Sequence, residues 1–196
     1  MKWREVWGAV LLGTAAPVAG CGLALESADR AAANQGLLLF VGVRASNLVY
    51  GLMILASFIA AAGLIFLIPA VIRRIPRKAL RLGVGWTAGL AVAAAVPYLG
   101  IILIFAFLGA VGIGDDVRIT AGDGSSVLIS QDGFDGDRVI IYAQHDEYHY
   151  KRVRNAPEIA GWPRVKDQDC RLETGEATTL TCGGVALTVD QQTPGT

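Results

Sequence analysis

Charge is missing from two long stretches of this chain. Residues 48–72 and 82–114 contain no Asp, Glu, Lys or Arg. A soluble core is patterned, with polar positions returning at each helical turn or every second strand residue, so these stretches are not ordinary soluble core. Histidine and cysteine are also scarce, with two and three among 196 residues. Cys21, Cys170 and Cys182 are too few for a disulfide scaffold and wrongly spaced for a zinc ribbon. The apolar stretches also lack the ionisable groups that proton relays and ion paths use, which argues against a self-sufficient transporter.

What is present divides the chain in two. Residues 1–114 carry nine basic and three acidic residues, whereas residues 115–196 carry eight basic and fourteen acidic ones, so the formal net charge of zero hides two unlike halves. In the first half the basic residues flank apolar runs. That is a topology signal rather than a nucleic-acid footprint, and no nucleic-acid partner is expected. The predicted architecture is a membrane α-helical part with three transmembrane helices (residues 1–114), followed by a small all-β domain (residues 115–196) built as a sandwich or open barrel.

The predicted spans are residues 6–25, 48–72 and 82–113, each at or above the roughly 20 residues that cross a bilayer. Leu37–Val43 is apolar too and could begin the second span early. Arg44 then interrupts it, and is expected at the outer interface with its head in water. Between spans two and three, Arg73, Arg74, Arg77, Lys78 and Arg81 place five positive charges in nine residues without an acid. Short basic loops stay cytoplasmic, which puts the N-terminus inside and the acidic domain outside. Pro97 is expected to kink span three. Gly85, Gly89 and Ala93, and in span one Ala9/Gly13 and Ala16/Gly20, repeat a small-residue spacing that allows helices to approach closely.

Val18-Ala19-Gly20-Cys21 resembles a bacterial lipobox. That resemblance implies lipidation at Cys21 and a mature chain beginning there with two spans. The alternative is an ordinary cysteine in an apolar helix.

After Asp115 the pattern changes to short β-branched runs separated by turns. Strands are predicted in 117–120, 127–130, 138–144, 148–154, 171–173, 177–182 and 185–189, with hairpin turns at 121–125, 145–147 and 174–176. The 171–181 hairpin brings Cys170 and Cys182 together, and a disulfide there suits a non-reducing compartment.

Three constellations could carry chemistry. His145, Glu147 and His149 alternate, and one continuous strand would put them on one face as metal ligands; the turn expected at 145–147 breaks that strand, so the two histidines are weak candidates and no metal is assigned. Asp132, Asp135 and Asp137 suggest a calcium loop, but Phe134 occupies a ligand position and the distal Glu is missing. Ser125 or Ser126 could serve a hydrolase triad, without a nucleophile-elbow motif. No catalytic residue and no cofactor are assigned. The more informative group is Tyr148, Tyr150, Arg152, Arg154 and Trp162, a basic-aromatic cluster in an acidic domain and the expected partner surface. In that reading strand 148–154 lies at a sheet edge.

The layout resembles small bacterial envelope proteins. The expected function is therefore a cell-membrane protein that is not an enzyme, with the bilayer and a membrane or envelope protein as partners and the outer β domain as its binding module. The alternatives are an accessory subunit of a membrane complex and an extracytoplasmic metal-dependent hydrolase using His145 and His149.

Overall fold

The computed structural model describes residues 3–112, 114–133, 138–153, 159, 161–175 and 177–189. Three long helices dominate the first part: α1 (Trp3–Asn34), α2 (Ala45–Arg74) and α3 (Lys78–Gly112). All three are long and apolar enough to cross a membrane. The α1 helix stops where Gly36 takes the left-handed conformation (φ 72°), which only glycine adopts without strain. The α2 helix stops before Pro76, with Arg73 and Arg74 in its last turn facing the negative end of the helix dipole. Pro17, Pro69 and Pro97 all lie within helices, and α3 runs on as helix past Pro97.

The chain divides into two compact units. The first contains most of the three helices. Within it α1 and α2 cross at Gly8 and Gly63. A β-carbon on Gly8 would lie 3.1 Å from the Gly63 carbonyl oxygen, and one on Gly63 would lie 2.9 Å from Leu12 Cγ. Farther along, Gly22 faces Leu52 and Met53, so the two helices run antiparallel. Glu5 and Arg74 form an ion pair. The close approach therefore uses one glycine from each helix. Gly13, Gly20, Gly85 and Gly89, which the small-residue spacing marks as packing positions, face open space: a β-carbon on any of them would have no neighbour within 4 Å.

The second unit comprises residues 26–47 and 110–196. It holds two open antiparallel sheets. The larger has the order β1-β5-β4-β3-β2 and is formed by β1 (Leu37–Leu39), β2 (Asp115–Thr120), β3 (Ser126–Gln131), β4 (Val139–Gln144) and β5 (His149–Arg152). The smaller has the order β6-β7-β8, from β6 (Cys170–Thr174), β7 (Thr178–Cys182) and β8 (Val185–Thr188). A 3-10 turn, Val165–Asp167, precedes β6. Strand alternation sorts the side chains. Val127, Ile129, Ile141 and Ala143 share one core with Leu172, Leu180, Cys182 and Leu187 of the smaller sheet. The opposite face buries Leu128 and Tyr150 beneath Phe40.

The sheet thus reaches outside the 115–196 stretch. Leu37, Leu38 and Leu39 pair with Lys151, Tyr150 and His149. Leu37–Val43 is therefore not the start of a span: its first residues are a strand, and Phe40 bridges back to Arg44. Nor is β5 an edge strand, because β1 covers one side and β4 the other.

Candidate functional site

The residues expected to form one partner surface are separated by the fold. Tyr150 is fully buried: its ring meets Phe40 edge to face at 5.9 Å, and its hydroxyl lies 2.8 Å from Ser126 Oγ. Burying so large a ring supplies much of this face's core, so Tyr150 is a packing residue and not a contact residue. Arg152 lies on the same strand face and stays exposed, while Tyr148 is 45% exposed at the β4–β5 turn. Arg154 lies outside the described residues.

Trp162 is 60% exposed but belongs to the other end of the sheet. The register shows this. Tyr148 lies near Gln144, the last residue of β4, whereas the Trp162 loop is fastened to Gln131, the last residue of β3 and the partner of Val139 at the start of β4. Six strand residues separate the two ends, roughly 17–20 Å.

Gln131 makes this second end. Its side chain is 1% exposed. Its Oε1 accepts the Val165 amide at 2.9 Å, and its Nε2 donates to the Gly161 carbonyl. A buried amide with both ends bonded holds a loop firmly, because each broken bond would leave a desolvated polar group. Arg164 then donates to Asp115 at 2.9 Å while its guanidinium lies 5.8 Å from the centre of the Trp162 ring, within cation–π range. Lys166 adds a second cation 3.1 Å from Asp115. The bond from Arg164, with support from Lys166 and against the opposing effect of partial burial, holds the Asp115 carboxyl below its ordinary pKa.

The chain enters the sheet from α3 at this same end. Asp115 follows Gly112 by three residues, and a β-carbon on Gly114 would fall 1.7 Å from the Gln131 carbonyl oxygen. Only glycine lets the backbone pass there. Arg44, immediately before α2, also reaches this region: its guanidinium donates to Asp116 at 3.0 Å and to Ser130 Oγ at 2.7 Å. The Arg44 head is thus tied to the sheet as well as partly exposed. It joins the α1–α2 connection to the sheet.

The other candidate chemistries come apart. His149 Nδ1 lies 2.8 Å from Asp146, which also accepts the amides of Tyr148 and His149. Burial raises the Asp146 pKa, but the bonds from Tyr148 and His149 outweigh it and hold the carboxyl below its ordinary value. This is a capped turn, so His145, Glu147 and His149 do not share a continuous strand. Among the described residues no three His, Cys, Asp or Glu side chains converge on a metal position. Asp135 and Asp137 of the suggested calcium loop lie outside the described residues. Ser126 is fully buried and bonds Tyr150 and Gln144, while Ser125 donates to Asp123 within its own turn, so neither faces a histidine. Cys170 and Cys182 are directly opposed in β6 and β7, with Cα atoms 4.2 Å apart and sulfurs at disulfide distance. Cys21 is exposed on α1.

Comparison with protein-family models, with curated proteins and with solved structures gave no match. Of the features above, the Gln131–Trp162 loop was the hardest to find from sequence. A lone glutamine ending a β-branched run carries no signal of a partner 30 residues on.

Proposed function

We propose that this chain is a three-span protein of the cell membrane whose outer β unit is a binding module and not an enzyme. The observation that carries the reading is the pairing of β1 with β5. A sheet cannot form across a bilayer, so the α1–α2 connection and the segment after α3 must share one side. Three spans achieve that only if both ends of the α2–α3 pair return to the same face. The basic 73–81 loop between α2 and α3 then lies opposite, and its charge favours the cytoplasm. A disulfide at Cys170–Cys182 suits the outer, non-reducing side. A retained α1 leads into β1 from the membrane; lipidation at Cys21 would instead begin the mature chain within α1 and leave the tail outside as well.

Within this reading the partner surface runs from exposed Tyr148, at the end of the sheet opposite Asp115, to exposed Arg152, which pairs with Tyr142 midway along β4. Aromatic and guanidinium groups together make effective contact anchors. A photo-reactive residue at 148 or 152 in intact envelopes should give one discrete protein adduct, absent from a probe at exposed Thr188 on β8. Identical patterns from all three positions would overturn the assignment.

The second reading, an accessory subunit of a membrane complex, is favoured by the open glycine faces at Gly85 and Gly89. It requires a stoichiometric membrane partner in mild detergent.

A further inference from the structure

We infer that Trp162 is a lipid-interface anchor, docking the β unit onto the headgroup–acyl boundary of the outer leaflet. The inference rests on the three-span reading above and adds a partner surface to it. The argument begins with where the apolar chain ends. Residues 82–114 contain no charged side chain, and the first charges after them are Asp115 and Asp116 at the start of β2. The apolar run therefore continues to within one residue of the sheet, and the three residues from Gly112 to Asp115 can reach at most about 10 Å. The Asp115–Gln131 end of the sheet consequently lies at the membrane boundary wherever α3 crosses.

The Trp162 loop is bound to that end by four hydrogen bonds. Gln131 holds Gly161 and Val165, Arg164 holds Asp115, and Arg164 also donates to the Gly133 carbonyl. The loop is thus fixed beside the helix exit, yet it leaves a large indole 60% exposed. An indole with an apolar body and a polar N–H is suited to the region where hydrocarbon gives way to headgroups. Arg164 and Lys166 stand beside it, 26% and 49% exposed, and offer cations at phosphate level even while they share Asp115. Tyr148 has the exposure but sits at the far end of the same sheet, away from the point where α3 enters.

The test uses the full chain in phosphatidylcholine vesicles. Trp3, Trp7 and Trp86 are changed to Phe, leaving Trp162 as the one fluorophore of its kind. Lipids brominated near the top of the acyl chain should quench its emission about twofold, and more strongly than lipids brominated near the chain end, as expected for an interfacial indole. A matched protein with Trp162→Phe and Tyr148→Trp should be quenched by aqueous acrylamide and not by brominated lipid. A cooperative thermal transition of the β unit at the temperature of the unsubstituted chain reports that both variants are folded. If the protein floats with the vesicles but Trp162 responds only to acrylamide, the anchor is wrong while the spans stand. If the protein fails to float, the three-span reading falls and the anchor falls with it.

Discussion

Arg44 and Asp116 are 72 positions apart in the chain, and their side chains meet at 3.0 Å. The contact joins the residue before α2 to the first strand after α3, with Ser130 as a second acceptor for the same guanidinium. Both partners are partly buried. A double-mutant cycle should therefore give a real coupling. Arg44→Ala and Asp116→Ala should each lower the stability of the β unit, by about 2 kcal/mol for a bond to a charged group, and the double change should cost less than their sum. Simple additivity in thermal or denaturant unfolding would mean the pair is incidental.

Tyr150 and Arg152 share a strand face but have opposite roles. Tyr150→Ala should destabilise the β unit by about 3–5 kcal/mol, because it empties a fully buried aromatic site beneath Phe40. Arg152→Ser should leave the melting temperature nearly unmoved, since an exposed charge contributes little. Equal effects from the two changes would contradict the placement of Tyr150 in the core.

Much of this fold was legible in the sequence, and the parts that were not share one cause. The apolar helices declare themselves by length and absence of charge. Strands β2 to β8 declare themselves by β-branched runs between turn residues, and the Cys170–Cys182 pairing follows from a hairpin. Leu37–Leu39 did not, because three leucines before another apolar run look the same whether they enter a helix or pair with a strand. That pairing then decided three other matters: β5 became an interior strand, Phe40 came to cover Tyr150, and Arg44 turned toward Asp116. The small-residue spacing in α1 and α3 does not mark the contact made within this chain, for a related reason. Spacing identifies a face that can be approached, and which face is approached depends on the neighbour; here Gly8 and Gly63 meet.

The disulfide should matter to the β unit. Bridging Cys170 and Cys182 closes a loop of about 13 residues, worth roughly 3 kcal/mol in the chain-entropy model. Reduction should lower the thermal midpoint accordingly, and Cys182→Ala should reproduce the loss. Identical melting with and without reductant would show the pair to be unbridged or without consequence.

Acid should weaken the β unit through Asp115. Its folded pKa lies below the ordinary value, chiefly through Arg164. A depressed carboxylate adds stability above its unfolded pKa of about 3.9, and that stability is lost as pH falls through the lower folded value. The melting temperature should therefore decline below about pH 4, and Asp115→Asn should flatten that decline. An unchanged acid slope in the variant would remove Asp115 from the explanation.

The pairing of β1 with β5 requires the α1–α2 connection and the segment after α3 to lie on one side of the membrane. Single cysteines at Gln35, Arg77 and Glu147, in a Cys21→Ala background, test this with a membrane-impermeant thiol reagent on intact cells. Gln35→Cys and Glu147→Cys should both be labelled directly, and Arg77→Cys only after permeabilisation. Labelling of positions 35 and 147 from opposite sides would contradict the shared sheet, because β1 and β5 could not then pair.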